Sequence, residues 1–380
     1  MEKLYALIEE LSPAYVQFWK EICEIETPSQ DKAALDRLVD KLQAHATALG
    51  CEVYREAFEK AGDCLRIDLP GDDRQPIVLM AHMDTVHNIG AFGPNPVTLK
   101  DGILYGPGVN DCKNGITMIM LLLEAFQKSG ISHPPIRVLF NSDEEISARL
   151  SGRQGVAFFE TNAAGAKAVL NCESGSDGLI VVGRKGIGNL TLKITGKAAH
   201  AGVCYFSGAS AIREAAHKIL AIEALSTPDG NTFNCGIIQG GTKPNIVAEA
   251  CEVYVDIRAM EEKAMEEAIG QVQEIAAHCY VEGTSCQVEI GSIRPPMEPN
   301  AANYGLLDRI NQIAEKLGMK PFTPMVSGGG SDAAYTTRMG IPTVCSIGPC
   351  GWDVHTIHER SDVSTLPVRA KLVATCVCEL

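Results

Sequence analysis

The chain has 380 residues, 46% of them hydrophobic and 21% charged, a composition of folded globular protein with no long tract biased toward disorder. That length exceeds one comfortable core and favours two domains. A formal net charge of −14 argues against nucleic acid and anionic membrane surfaces as partners, and an anionic substrate would need local positive charge.

The fourteen cysteines stand singly, with no CxxC pair and none of the density of a disulfide scaffold, which points to a reducing cytoplasm. Met1-Glu2-Lys3-Leu4-Tyr5 opens into a helical pattern without the apolar run of a signal peptide. The most apolar stretch, Ile116 to Leu123, is too short to cross a bilayer.

In chain order, amphipathic helices are expected over 2–25 and 31–49, the second stopping at Gly50. Short β-rich runs follow at 52–54, 64–69 and 77–83, and Ile77-Val78-Leu79-Met80-Ala81 has the continuous apolarity of a strand buried on both faces. A helix at about 114–129, a strand at 136–140, a helix at 153–161 and a strand at 168–171 continue the alternation, which predicts an α/β sheet. From about Gly186 the rhythm changes. Strand 189–195, helix 208–224, strands 232–239 and 248–258, helix 261–278 and strand 285–290 make a βαββαβ unit. The α/β pattern then returns with helix 303–317, strand 343–346 and helix 365–379. The expected architecture is a mixed-sheet, phosphorylase/hydrolase-like catalytic domain with helices on both faces, formed by residues 1–185 and 296–380. A ferredoxin-like lid and dimerisation domain, 186–295, is inserted into it.

Five potential metal ligands are scattered over this plan: His82, Asp111, Glu145, Glu173 and His355. Two imidazoles and three carboxylates suit a pair of divalent zinc-like ions that share one bridging carboxylate. Glu144, beside a ligand and not needed as one, is free to act as a base. His82, Glu144-Glu145 and Glu173 each follow the C-terminal end of a predicted buried strand, the edge at which open α/β sheets bind ligands. Asp84, two residues past His82 on the same side of the strand, is placed to accept the second ring N–H of that histidine. Each motif also has a plainer reading. Asp111 is suited to cap the helix starting near Asn114, Asp143-Glu144-Glu145 to form a solvated turn, and His200 to sit on a surface loop. Cys112 and Cys204, with no positioned base beside them, read as spectators.

The order and surroundings of these motifs resemble the co-catalytic zinc peptidase and deacylase family that includes glutamate carboxypeptidase, peptidase T and acetylornithine deacetylase. The matching stretches are His82-Met83-Asp84-Thr85-Val86, Tyr105-Gly106-Pro107-Gly108, Leu139 to Glu145, Gly196 to Gly202 and Gly328 to Tyr335. The resemblance spans nearly the whole chain and is strongest to the glutamate carboxypeptidase branch. It implies one zinc on His82, Asp111 and Glu173 and a second on Asp111, Glu145 and His355, with Co²⁺ or Mn²⁺ as substitutes. His355 is preferred to His358 because it aligns without a gap through Gly348 to Trp352.

The same resemblance implies Glu144 as general base, Asp84 as orienter of His82, and a cis peptide at Asp111-Cys112. It makes His200 an oxyanion donor that reaches a partner subunit's site in a homodimer, and it makes Asn245, Arg258 and Gly329 substrate-binding residues. Two departures, Asn114-Gly115 for Gly-Gly and Ile146-Ser147-Ala148-Arg149 for a glycine-containing turn, alter the expected pocket wall. The expected reaction is hydrolysis of a peptide or N-acyl amino acid with a free α-carboxylate, through a metal-bridging hydroxide. The alternatives are a tripeptide aminopeptidase like peptidase T and a non-catalytic metal-binding relative.

Overall fold

In the computed structural model, which describes residues 1–380, helix α1 (Glu2–Cys23) buries Leu4, Ile8, Tyr15, Trp19 and Ile22, the three-and-four spacing of one helical face. Helix α2 (Lys32–Ala48) begins where the Asp31 side chain accepts the Ala34 N–H, a side-chain cap that satisfies one orphan donor. Then come β1 (Glu52–Glu56), β2 (Cys64–Leu69), β3 (Ile77–His82), β4 (Thr98–Lys100), β5 (Ile103–Tyr105), α3 (Lys113–Ser129), β6 (Ile136–Asn141), α4 (Gly152–Asn162), β7 (Ala168–Asn171) and β8 (Leu179–Arg184). The middle of the chain supplies β9 (Gly186–Thr195), α5 (Ala211–Glu223), β10 (Thr232–Gly240), β11 (Ala250–Ala259), α6 (Glu262–Ala277) and β12 (Ser285–Arg294). The chain closes with α7 (Ala301–Lys316), β13 (Thr323–Ser327), α8 (Ala333–Arg338), β14 (Thr343–Cys345), β15 (Gly351–Trp352), β16 (Arg360–Asp362) and α9 (Thr365–Glu379).

The chain divides into two units, one of Met1–Gly183, Pro299–Val326 and Ser331–Leu380, the other of Arg184–Glu298 and Ser327–Gly330. The first is built on an eight-stranded sheet of order β1-β2-β6-β3-β7-β14-β8-β13. Strands β6, β3, β7 and β14 run parallel while β1, β2 and β8 pair antiparallel, so the sheet is mixed. Period-two alternation divides β3 between two cores. Ile77, Leu79 and Ala81 pack with α1, α3 and α9, whereas Val78 and Met80 pack with Phe158, Phe159 and Tyr335 from α4 and α8. Helices therefore cover both faces, as the unbroken apolarity of β3 requires.

The second unit has a four-stranded antiparallel sheet, β10-β11-β9-β12. Leu190, Leu192, Val253 and Val255 pack there against Ala215 of α5 and Ala268 and Val272 of α6. That is the ferredoxin-like arrangement of a βαββαβ unit.

Several elements lie outside the sequence expectation. Strands β4, β5, β15 and β16 form a small sheet of order β15-β16-β5-β4. At two or three residues each, they are too short to show a period. Strand β8, by contrast, carries a plain strand signature in Leu179-Ile180-Val181-Val182. Helix α5 starts at Ala211 rather than 208 because the Ser210 side chain accepts the Arg213 N–H.

Candidate metal centre

Strands β3, β6 and β7 are parallel and in register, with His82 opposite Asn141 and Met80 opposite Asn171. Their C-terminal ends therefore present His82, Glu144-Glu145 and Glu173 along one sheet edge. The loop from β5 to α3 brings Asp111 to that edge, and the loop before β16 brings His355.

The Asp111 carboxylate divides between two imidazoles. Its Oδ1 lies 2.9 Å from His82 Nε2 and its Oδ2 lies 3.4 Å from His355 Nε2. His355 Nε2 is also 3.2 Å from Glu145 Oε2. Ligand atoms of His82, Asp111 and Glu145 all fall within 4.8 Å of one another. Helix α3 takes Cys112, not Asp111, as its N-cap residue, so the capping alternative for Asp111 is set aside. The Asp111-Cys112 peptide bond is cis. Glu173 stands outside the three-residue set; its Oε1 accepts hydrogen bonds from Ser331 Oγ at 2.7 Å and Asn171 Nδ2 at 3.3 Å.

Asp84 is fully buried and ties these pieces together. Its carboxylate accepts the backbone N–H groups of Glu144 and Glu145, each at 3.1 Å, and the Ser29 hydroxyl at 2.6 Å. His82 Nδ1 lies 3.1 Å from the Asp84 carbonyl oxygen and 3.3 Å from its Oδ1. Asp84 thus holds the ring of His82 through its main-chain carbonyl, with its carboxylate close by, and the carboxylate aims the acidic pair. The third acid of the run, Asp143, faces elsewhere and accepts from Leu150 N, Ser151 N and Ser151 Oγ, which disperses the repulsion expected of three consecutive acids.

Proton affinities here are strongly displaced. Burial, and then the charge of Asp111, push the Glu145 carboxyl up to about 7. Hydrogen bonds to Asp111 and Glu145 push His355 up to about 10. Burial opposes charge on Asp111, yet its bonds to His355 and His82 hold it well below the ordinary carboxylate range. Burial likewise opposes charge on His82, but Cys112, Asp111 and Asp84 lift it well above the ordinary imidazole value.

These residues fit divalent cations. Glu145 Oε1 is buried without a hydrogen-bond partner, an arrangement that calls for a positive ligand. The 2.9–3.4 Å separations match the roughly 3.3 Å edge implied by tetrahedral zinc bonds of about 2.0–2.1 Å.

The remaining expected residues belong to the second unit. His200 is exposed, and its Nδ1 accepts the backbone N–H groups of Gly202 and Val203 at 3.1 and 3.2 Å. The neutral ring therefore carries its proton on Nε2 and presents a donor. Asn245 lies beside it, its carbonyl accepting the Ala201 N–H at 3.0 Å. Arg258 is engaged by Asp256 through Nε–Oδ1 at 2.7 Å and Nη2–Oδ2 at 3.1 Å. Gly329 accepts a long bond from Arg184 Nη1 at 3.4 Å and groups with the second unit. Sequence reasoning passed over Ser331 and Asn171, which hold Glu173, and Glu359, which holds the Asp111 loop. Ser331 lies within a motif stretch and Glu359 four residues after His355, and neither carried a metal-ligand signature of its own.

Paired imidazoles and acids at the C-terminal edge of a mixed α/β sheet define a metallohydrolase. Residues 78–379 match the peptidase family M20/M25/M40, and the chain belongs to that family. Carboxypeptidase G2 of Pseudomonas sp. (strain RS-16) is 28% identical, over 99% of this chain and 92% of its own. Acetylornithine deacetylase of Myxococcus xanthus is 24% identical over 86% of each chain. The crystal structure of aminopeptidase PepT from Bacillus cereus ATCC 10987 superposes with a TM-score of 0.78 at 26% identity, covering 96% of this chain and 98% of that one. The protein is accordingly a hydrolase acting on amide bonds.

Proposed function

We propose that the protein is a di-zinc carboxypeptidase or deacylase that cleaves a peptide or N-acyl amino acid bearing a free α-carboxylate. The observation that carries this reading is the division of Asp111, one oxygen toward His82 and the other toward His355. A carboxylate shared in that way suits two cations, with Glu173 completing the His82 side and Glu145 the His355 side. Bound divalent metal would supply Lewis acidity, polarising the amide carbonyl and lowering the pKa of water. Glu144 would take a proton from the attacking water and pass it to the leaving nitrogen, which keeps the proton count balanced. His200, with its proton on Nε2, would donate to the developing oxyanion, a contribution of roughly 2.7–4 kcal/mol for a well-placed donor.

Arg258, Asn245 and Gly329 would bind the substrate, Arg258 offering a guanidinium fork to its carboxylate. Because Asp256 already occupies that fork, substrate binding would require Arg258 to share or exchange its partner. The full-length similarity to carboxypeptidase G2 and the glutamate at position 173 favour cleavage next to a free carboxylate. The likeness to aminopeptidase PepT supports a second reading, cleavage next to a free amine. Hydrolysis assays on paired substrates, one blocked at the amine and one at the carboxyl, separate them: loss of turnover with the blocked carboxyl supports the first.

A Glu144→Ala variant should keep both metals and lose turnover by orders of magnitude, and retained activity would refute the assignment of the base. We place the protein in the cytoplasm, in line with its fourteen free thiols; no helix is long and apolar enough to cross a membrane. A homodimer through residues 186–295 is supported by the exposed Val203, Phe206 and Leu220 of that unit. Sedimentation at micromolar concentration tests it, and a monomer would leave His200 without its proposed role.

A further inference from the structure

The loop that carries Asp111 has no regular structure of its own, yet its polar backbone is held by side chains far away in sequence. Trp19 Nε1 donates to the Val109 carbonyl at 3.0 Å, and Ser174 Oγ donates to the Asn110 carbonyl at 2.7 Å. The N–H groups converge on one residue. Glu359 Oε1 accepts from Asn110 N at 2.8 Å and Asp111 N at 2.9 Å. Its Oε2 accepts from Gly108 N at 3.1 Å and lies 2.8 Å from His87 Nε2. The Glu359 carbonyl also accepts the Gly106 N–H at 3.2 Å.

Glu359 is 1% exposed and His87 is 8% exposed, so these bonds form away from bulk water, where charge-assisted pairs are strong. Gly108 has φ +71°, and a Cβ there would meet Thr85 Cγ2 at 2.6 Å.

Glu359 sits four residues after His355 and grips the N–H of Asp111 itself. It therefore couples the loop that brings one imidazole to the loop that brings the shared carboxylate. We propose that Glu359, backed by His87, is a positioning residue that presets Asp111 between His82 and His355 and thereby sets the affinity for divalent cation. The inference rests on the proposed metal centre and adds to it a determinant that is no ligand. The two carboxylate oxygens hold three backbone N–H groups of the loop and face the His87 ring nitrogen. A glutamine at 359 replaces one acceptor oxygen by an NH₂ donor facing another donor. Outer partners of this kind typically change metal affinity by about 10–100-fold.

The test uses the full chain, stripped of metal, with zinc affinity measured by competition against a chromophoric chelator and melting of each metal-free form measured in parallel. Glu359→Gln should weaken zinc binding of the folded protein by about 10–100-fold, measured below whatever lower metal-free melting temperature the unpaired buried donors produce. His87→Gln, which keeps the three amide bonds, should weaken it less. Saturating zinc should restore turnover to Glu359→Gln, because the residue touches neither substrate nor metal.

If the parent binds zinc tightly and Glu359→Gln binds it equally well, the inference is overturned and the metal centre stands. A lower melting temperature with unchanged affinity of the folded variant overturns it too, since that marks a purely structural residue. If the parent binds no zinc, the metal centre itself fails. Should Glu359→Gln not fold, His87→Gln and Glu359→Asp decide: unchanged affinity in both refutes the proposal.

Discussion

Asp111 shares its two oxygens between His82 and His355, and in the metal-free protein protons do what cations would do in the loaded one. His355 rises from 6.5 to about 10 through its bonds to Asp111 and Glu145. A raised imidazole value stabilises the metal-free fold fully below 6.5, and that share is lost as pH climbs through about 10. Glu145 acts in the same sense: its carboxyl rises from 4.5 to about 7, so its share is complete below 4.5 and lost through about 7. Metal binding requires both groups deprotonated and expels their protons. Zinc affinity should therefore rise with pH between about 7 and about 10. Calorimetric titration at pH 7.5 in two buffers of different ionisation enthalpy should show about one proton released per chain or more; release of none would refute the protonated His355. Asp84→Asn adds an independent check. An amide cannot accept from Ser29, from the N–H groups of Glu144 and Glu145, and beside His82 at once, so metal affinity should fall about 10–100-fold. Equal affinity would show that the main-chain carbonyl of residue 84, 3.1 Å from His82 Nδ1, holds the ring without the carboxylate.

Helix α3 shows what whole elements contribute. Residues Ile116 to Leu123 are all buried, so the helix runs beneath the sheet as a fixed rod, and its first turn lies against the strand end that leads to Glu173. Gly115 permits the approach: a Cβ there would meet the Cys172 carbonyl oxygen at 2.0 Å. Gly115→Ala should push α3 off the end of β7, destabilising the fold by about 1–3 kcal/mol as overpacked cores do and loosening zinc on the Glu173 side. Urea unfolding with and without zinc measures both effects, and an unchanged midpoint would show that the helix shifts freely. The major elements were legible in the sequence because they obey a period. Strand β3 is apolar at every position before His82, α1 buries every third or fourth residue, and β9 and β11 alternate. The small sheet of β4, β5, β15 and β16 was not legible, since its strands are two or three residues long and are defined by the pairing of residues 98–105 with 351–362. Glu359 sits at the start of that sheet, which is why its hold on the Asp111 loop is a tertiary fact.

Across the whole molecule, the candidate ligands were readable in sequence because their chemistry and neighbours make a motif: His82, Asp111, Glu145, Glu173 and His355. The side chains that orient them, Ser29, Asn171, Ser331 and Glu359, are ordinary polar residues until the fold brings them close. The two units differ in how they should respond to metal. Every proposed ligand and every orienting side chain lies in the unit of Met1–Gly183, Pro299–Val326 and Ser331–Leu380, whereas Arg184–Glu298 with Ser327–Gly330 holds its own core of Leu192, Val253, Val255 and Val272. A ligand stabilises only the cooperative unit that it binds, by about 4.1 kcal/mol at a thousandfold excess over Kd. For a unit of this size about 1 kcal/mol moves Tm by roughly 2–4 °C. Scanning calorimetry of the zinc-loaded chain, repeated with a strong chelator, should show the larger transition fall by about 8–16 °C while the smaller one holds within a degree or so. A chelator that shifts both equally would mean that the chain unfolds as one cooperative body, and one that shifts neither would remove metal from the account of this fold.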